Sequence, residues 1–254
     1  MRIKITFFKK VVLLVSMIAL ISLDFPSKKI TVYLIGDSTI SIKETKAYPE
    51  TGWGMPFANF FDSTVVVDNR AKNGRSTRTF ISENRWQPIV DQLKEGDYVF
   101  IQFGHNDESK EKVDRYTTPE EYKMNLSKFI DESRTKKAIP VLLTPVARRK
   151  FKDGVQQETH AEYSALVRQT AKEKNVAFID LDSKSTELLQ KYGEEKSKLL
   201  FLQLEPGEHP NYPEGKNDNT HFNELGARVI AQLILSEIKN SKLELADRII
   251  KPSK

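Results

Sequence analysis

Four short stretches hold residues that together could carry out acyl transfer: Gly36-Asp37-Ser38-Thr39, Ala71-Lys72-Asn73-Gly74-Arg75-Ser76, Gly104-His105-Asn106-Asp107 and Asp218-Asn219-Thr220-His221. A serine hydroxyl is a weak nucleophile until a general base sits within hydrogen-bond reach. Imidazole suits that task, because its ordinary pKa of about 6.5 lets it take up and return a proton near neutrality. A carboxylate on the other ring nitrogen holds the tautomer and stabilises the imidazolium. Asp218 and His221 lie three residues apart, so both can serve one serine if their loop folds over the edge of a sheet. The oxyanion that develops needs preorganised donors, which a glycine backbone N–H and an asparagine amide provide. Taken singly, each stretch has a plain explanation: a strand-to-helix turn, a turn dipeptide at Asn73-Gly74, polar side chains bonded to their own backbone, a histidine at a helix terminus. Only together do they supply the parts of a hydrolytic site.

The elements that must position these stretches follow from the pattern around them. Thr31–Ile35, Val65–Asn69, Tyr98–Phe103, Val141–Thr144 and Val176–Leu181 read as five short strands, β-branched or aromatic with little polar alternation, as a parallel sheet covered on both faces requires. Between them lie amphipathic stretches. Thr118, Pro119 and Glu121 form a capping-box start, after which Tyr122, Leu126, Phe129 and Ile130 recur at helical spacing. Further helices are expected over Ala161–Lys174, within Lys184–Lys198 and over Asn223–Asn240. Strands alternating with helices predict an α/β fold, a three-layer α/β/α sandwich around a five-stranded parallel sheet, with one domain over residues 30–250. In such sheets ligands bind beyond the carboxyl ends of the strands, and three of the four stretches directly follow a strand.

Composition narrows the function further. The chain has 254 residues and no cysteine, so thiol nucleophiles, disulfides and thiolate metal sites are excluded, and only His105, His160, His209 and His221 are available as imidazoles. The net charge of +5 falls to +1 beyond residue 23, because Arg2, Lys4, Lys9 and Lys10 all lie in the first ten residues. A near-neutral body lacks the footprint of a polyanion binder, so nucleic acid is not an expected partner. Those four basic residues precede the apolar run Val11–Leu23, the layout of a secretory signal that is too short for a spanning helix. Residues 1–23 are therefore read as a signal peptide and the protein as exported, periplasmic or extracellular. Ala19 and Ser22 are the small residues nearest a cleavage site, and an uncleaved N-terminal anchor, the one route to a membrane, is the alternative.

With these residues in view the chain resembles the SGNH (GDSL-type) hydrolases, whose four blocks match Ser38 in Gly-Asp-Ser, Gly74, Asn106 in Gly-x-Asn-Asp and His221 in Asp-x-x-His. Thr39 stands where the usual leucine would be. With Gly52-Trp53-Gly54, Asn73-Gly74-Arg75-Ser76, Gln102-Phe103-Gly104-His105-Asn106-Asp107 and Asp218-Asn219-Thr220-His221-Phe222, it makes the chain similar to the rhamnogalacturonan acetylesterase branch from about Thr31 to Leu245. The resemblance implies a flavodoxin-like strand order 2-1-3-4-5 and removal of O-acetyl groups from pectic saccharides. It also implies roles: Ser38 as nucleophile, His221 as general base and then acid, Asp218 as its orienting partner, and the Ser38 and Gly74 backbone N–H groups with the Asn106 side chain as oxyanion hole.

Other readings compete. A Gly-x-Ser-x-Gly elbow, a P-loop and a dinucleotide Gly-x-Gly-x-x-Gly are all missing; Phe57 stands where the third glycine after Gly52 and Gly54 belongs. A metal-dependent deacetylase could draw on His105, Asp107, Glu208, His209, Asp218 and His221, but their spacing forms no tight ligand pair, so no metal or cofactor is expected. A non-catalytic saccharide-binding protein, or an esterase for another acylated sugar or small ester, are the remaining alternatives. For an acidic saccharide, Arg75, Arg78, Arg85, Arg148 and Arg149 could pair with carboxylates and Trp53, Trp86 and Tyr212 could stack on sugar faces. His209, in the Pro206–Pro213 loop leading toward Asp218, could contact substrate or anchor the loop. Arg75, Arg78, Trp86, His209 and Tyr212 are taken forward as substrate-binding candidates.

Overall fold

The computed structural model describes residues 28–241 and 243–251, so the leader expected over residues 1–23 lies outside the described residues. In chain order the elements are β1 (Ile30–Gly36), α1 (Gly54–Phe57), β2 (Val65–Asn69), α2 (Thr77–Ser82), α3 (Gln87–Gln92), β3 (Tyr98–Gln102), α4 (Pro119–Thr135), β4 (Ile139–Leu143), β5 (Phe151–Lys152), β6 (Val155–Gln156), α5 (Ala161–Lys174), β7 (Ala177–Ile179), α6 (Leu181–Ser197), β8 (Phe201–Leu204), β9 (Lys216–Phe222) and α7 (Glu224–Asn240). Five of the strands form one sheet in the order β2-β1-β3-β4-β7, every neighbour parallel. Counted among those five alone this is 2-1-3-4-5, the order that the family resemblance implies, in the parallel α/β sheet that the alternation of strands and helices predicts.

Successive residues of each strand point to opposite faces, and both faces are covered. Val32 and Leu34 of β1, with Phe100, Val141 and Leu143, meet Phe57 and the α7 stripe Ile230, Ile234 and Ile238. Tyr33 and Ile35, with Val99 and Ile101, meet Phe80 and the α4 residues Tyr122, Leu126, Phe129 and Ile130. This double burial is why β3 reads as a continuous apolar run: all five of its residues are buried. Helix α4 opens as its sequence dictates, with Thr118 Oγ1 accepting from the Glu121 N–H at 3.3 Å and the Thr118 N–H donating to Glu121 Oε2 at 3.2 Å.

One region departs from the expectation of a plain loop. Residues 201–222 form an antiparallel β8–β9 hairpin, and its register slips: between the pairs Gln203–Asn217 and Phe201–Phe222, five steps along β9 oppose two along β8. Extra residues in a strand leave the ladder and re-aim their side chains. Here the displaced residues are Asp218 to His221, directly ahead of Asn223, whose Oδ1 accepts from the Gly226 N–H at 3.0 Å and caps α7.

Candidate active site

Strand order reverses between β1 and β3, and the loops leaving their carboxyl ends flank a crevice of about 580 Å³ lined by Ser38, Asn106, Glu108, Arg148, His160 and His221 among others. Ser38 sits two residues past the end of β1. The turn that presents it is held by Asp37, which is fully buried. Its Oδ1 accepts from the Thr39 N–H at 2.9 Å and the Thr39 hydroxyl at 2.8 Å, and its carbonyl accepts from the Ile40 and Ser41 N–H groups. Thr39 in turn accepts from Gln102 Nε2 at 2.8 Å, and Gln102 Oε1 accepts from Trp53 Nε1 at 2.8 Å. The Gly-Trp-Gly stretch therefore braces the serine turn from behind. The Trp53 and Gly54 N–H groups donate to the Thr39 and Ile40 carbonyls, and a Cβ at Gly52 or Gly54 would stand 2.2 or 2.5 Å from its neighbours.

The bulged β9 segment brings the other two groups over. Asp218 Oδ1 accepts from the Thr220 N–H at 2.7 Å and the His221 N–H at 2.9 Å, a turn that folds the imidazole back beside its own carboxylate. His221 Nδ1 lies 2.8 Å from Asp218 Oδ2, and His221 Nε2 lies 2.8 Å from Ser38 Oγ. Burial alone would raise the Asp218 pKa. The His221 ring and the two backbone N–H groups outweigh it and hold the carboxyl well below the usual carboxylate range. Asp218 is thus an anion that accepts from Nδ1–H, leaving Nε2 as the basic nitrogen that faces the serine hydroxyl.

The loops after β2 and β3 carry the other candidate donors, Gly74 and Asn106, and Asn106 lines the crevice with Ser38. Gly74 adopts φ +76°, the left-handed region that a side chain disfavours, and Asn106 Nδ2 is steadied by the Arg75 carbonyl at 3.1 Å. Among the described residues neither the Ser38 nor the Gly74 N–H donates a hydrogen bond. Polar N–H groups left without a partner at a half-buried turn are suited to a charge that arrives only during reaction.

Along the crevice wall runs a polar chain whose full extent no motif announced. His105 Nδ1 lies 3.2 Å from Asp37 Oδ2, its ring stands edge-on to His160 at 4.4 Å, and His160 Nδ1 lies 3.0 Å from Glu108 Oε2. Glu108 Oε1 accepts from Arg148, whose guanidinium also reaches Thr220 Oγ1, next to His221, at 3.4 Å. Burial pushes the His105 pKa down to about 4 despite the Asp37 charge, so at neutral pH the ring is uncharged and donates through Nδ1. Burial would raise Asp37, but His105 and Thr39 hold it at about 2. Burial also lifts Asp107 to about 7, although its Oδ1 accepts from the Thr77 N–H and hydroxyl, which pull the other way; its Oδ2 is buried without a partner. Glu108 directly follows the Gly104–Asp107 stretch, the only sequence signal that could have found it; His160 carries none.

The substrate-binding candidates do not line the crevice. Trp86 is 2% exposed and packs edge-on against Phe129, its indole N–H donating to Glu132, so neither face of its ring is free to stack on a sugar. Trp53, fully buried, is likewise a brace rather than a platform. Arg75 turns back on its own loop, donating to the Asn73 carbonyl and Glu83, and Arg78 donates to the Val113 carbonyl. His209 and Tyr212 fold toward residues 45–48: the Tyr212 hydroxyl donates to the Ala47 carbonyl and the His209 ring lies 5.4 Å from Tyr48. Arg148 alone of the weighed arginines reaches the crevice wall. Of the six residues weighed as metal ligands, Asp218 and His221 pair with each other, and among the described residues no three His, Asp or Glu side chains gather into a metal-holding group.

Comparison with known proteins adds an independent line. Residues 34–229 match the GDSL-like Lipase/Acylhydrolase family. The chain is 42% identical over 224 residues to the rhamnogalacturonan acetylesterase RhgT of Bacillus subtilis, covering 88% of this chain and 95% of that protein. It is 40% identical over 221 residues to YesY of the same organism, a probable rhamnogalacturonan acetylesterase, covering 87% and 97%. Among solved structures, the Bacillus subtilis protein YxiM superposes with a TM-score of 0.73 at 26% identity, covering 87% of this chain and 59% of that longer chain. Axe2, an acetylxylan esterase from Geobacillus stearothermophilus, shares the fold with a TM-score of 0.59 at 18% identity, covering 86% and 96%. A chain matched over most of its length, with the α/β sheet and strand order described above, belongs to the GDSL-like lipase/acylhydrolase family.

Proposed function

We propose that this protein is a serine carbohydrate esterase that removes O-acetyl groups from pectic, rhamnogalacturonan-type saccharides through a Ser38–His221–Asp218 triad and an acyl-enzyme intermediate. One observation carries the chemistry: the unbroken hydrogen-bonded run from Ser38 Oγ through His221 to Asp218, 2.8 Å at each link, on the wall of the crevice that Asn106 also lines. The substrate class is supported by 42% identity to a rhamnogalacturonan acetylesterase and by walls built of Glu108, Ser109, Arg148, Thr159 and Thr220, which favour a hydroxylated ligand over a lipid.

In the first half-reaction Ser38 Oγ attacks the acetyl carbonyl carbon while His221 Nε2 takes the hydroxyl proton. The carbonyl electron pair moves onto oxygen, where the Ser38 and Gly74 N–H groups and Asn106 Nδ2 stabilise it, each donor contributing about 3–4 kcal/mol. The tetrahedral species collapses by breaking the bond to the sugar oxygen, which receives the proton from His221. Acetyl-Ser38 remains. In the second half water attacks the same carbon, His221 takes its proton, and collapse releases acetate and returns the proton to Ser38 Oγ. Asp218 stays ionised throughout, orienting the ring. Export of the enzyme, which suits a substrate outside the cell, is supported by the basic and then apolar residues 1–23.

Acetate release tests the substrate reading. Acetylated rhamnogalacturonan fragments, acetylxylan and chitooligosaccharides are compared at equal ester concentration. The pectic fragments are expected to be deacetylated fastest; equal or faster release from either of the others contradicts the assignment.

A further inference from the structure

Lys43 has no part in the chemistry above, yet its surroundings tie it to that chemistry. Its side chain is 2% exposed, and Nζ has three acceptors for its three N–H donors: Glu50 Oε1 at 2.7 Å, Asn73 Oδ1 at 2.9 Å and the carbonyl oxygen of Ser38. A buried ion pair is a poor source of stability, since apolar residues of similar volume often serve as well, so its presence here calls for another reason. The reason lies in what the other two acceptors are. One is the backbone of the nucleophile itself. The other belongs to the residue before Gly74, thirty positions along the chain, on the loop after β2. The same Asn73 oxygen also accepts from Ser41 Oγ, and the Asn73 carbonyl, which shares its peptide plane with the Gly74 N–H, accepts from Arg75 at 2.9 Å.

We propose that Lys43 is a positioning residue: its ammonium pins the Ser38 turn to the Asn73–Gly74 turn, fixing the spacing of the two backbone N–H donors of the oxyanion hole, while Glu50 supplies the countercharge that keeps the ammonium buried. The proposal rests on the esterase reading. A gap between donors of a few tenths of an ångström matters only when the oxyanion forms, so the effect falls on kcat rather than on substrate binding.

The double variant Lys43→Met/Glu50→Gln removes both charges and leaves no buried unpaired ion. On a chromogenic acetate its kcat is expected to fall by at least about tenfold, with KM changed less than about threefold. Because a core variant can fail to fold, the exposed Asn73 gives a second arm. Asn73→Ala is expected to lower kcat by roughly three- to tenfold at unchanged melting temperature, and Asn73→Asp, which keeps the acceptor oxygen, to restore most of it. A folded double variant with parental kcat, or equal kcat in Asn73→Ala and the parent, overturns the inference. Parent and Ser38→Ala are assayed alongside. A parent that is active only with Ser38 leaves the esterase reading standing whatever the Lys43 result, whereas a parent without turnover removes both.

Discussion

Two concavities of nearly equal size flank the β8–β9 hairpin, the crevice of about 580 Å³ and a groove of about 590 Å³. Asp218, Thr220 and His221 line the first; Asn217 and Asn219 line the second. Both are polar, and both carry arginine, lysine and glutamate. In the groove the main hydrogen-bonding groups are already matched: Arg149 donates to Ser197 Oγ, Asn219 Oδ1 and the Glu194 carbonyl, and Gln203 to the Asp218 carbonyl and Asn219 Oδ1. In the crevice the Ser38 N–H has no acceptor among the described residues, and a base faces a hydroxyl at 2.8 Å. Volume and polarity do not separate the two. What separates them is a preorganised donor left idle beside a proton path.

The comparison breaks first at the proton path. Asp218→Asn keeps the geometry but favours the wrong His221 tautomer, and kcat on a chromogenic acetate is expected to fall by roughly 10⁴-fold; a variant as active as the parent would take Asp218 out of its role. Removing one donor comes next. Asn106→Ala is expected to lower kcat by about 10²–10³-fold with little change in KM, and a rise in KM alone would place Asn106 in substrate binding instead. The groove supplies the control: Lys198→Ala, at a residue whose exposed ammonium pairs with Glu195 at 2.8 Å, should leave kcat and KM within about twofold of the parent.

The smallest effect sharpens the electrostatics. His105, depressed to about 4, binds its proton in the unfolded chain before it does in the folded one, so its contribution to stability rises with pH between about 4 and 6.5. Asp107, raised to about 7, does the opposite: the folded state holds a proton that the unfolded chain has lost, and that contribution is present below the unfolded value and fades as pH rises through 7. The two oppose each other across the same window. Asp107→Asn removes the second, so its melting temperature is expected to climb more steeply from pH 4 to 6.5 than the parent's, and parallel curves would contradict the assignment.

What could be read from the residues alone follows from how local each determinant is. The five strands of the sheet and the capped helix at Thr118–Glu121 depend on short-range pattern, and they stand within a few residues of where that pattern puts them. The meeting of Ser38 with His221, and Asn106 beside them on the crevice wall, was accessible because each follows or precedes a regular element of known direction. The slipped register of β9 was not, since an Asp-Asn-Thr-His run has no strand signature and its placement depends on pairing with Phe201–Gln203. Substrate contacts were the least accessible. A tryptophan such as Trp86 or an arginine such as Arg75 has the same composition whether it faces a sugar or its own loop, and the tertiary partners decide. Glu108 and His160 meet on the crevice wall across 52 positions of chain, one in the loop after β3 and the other at the start of α5, a pairing that tertiary structure alone makes.

The central claim is that Ser38 Oγ is the atom that takes the acetyl group. Turnover of a chromogenic acetate by purified Ser38→Ala, with a melting temperature matching the parent's, tests it most directly. A loss of roughly 10⁵-fold or more with the fold intact is the predicted result. A folded Ser38→Ala protein that hydrolyses the ester at the parental rate would contradict it.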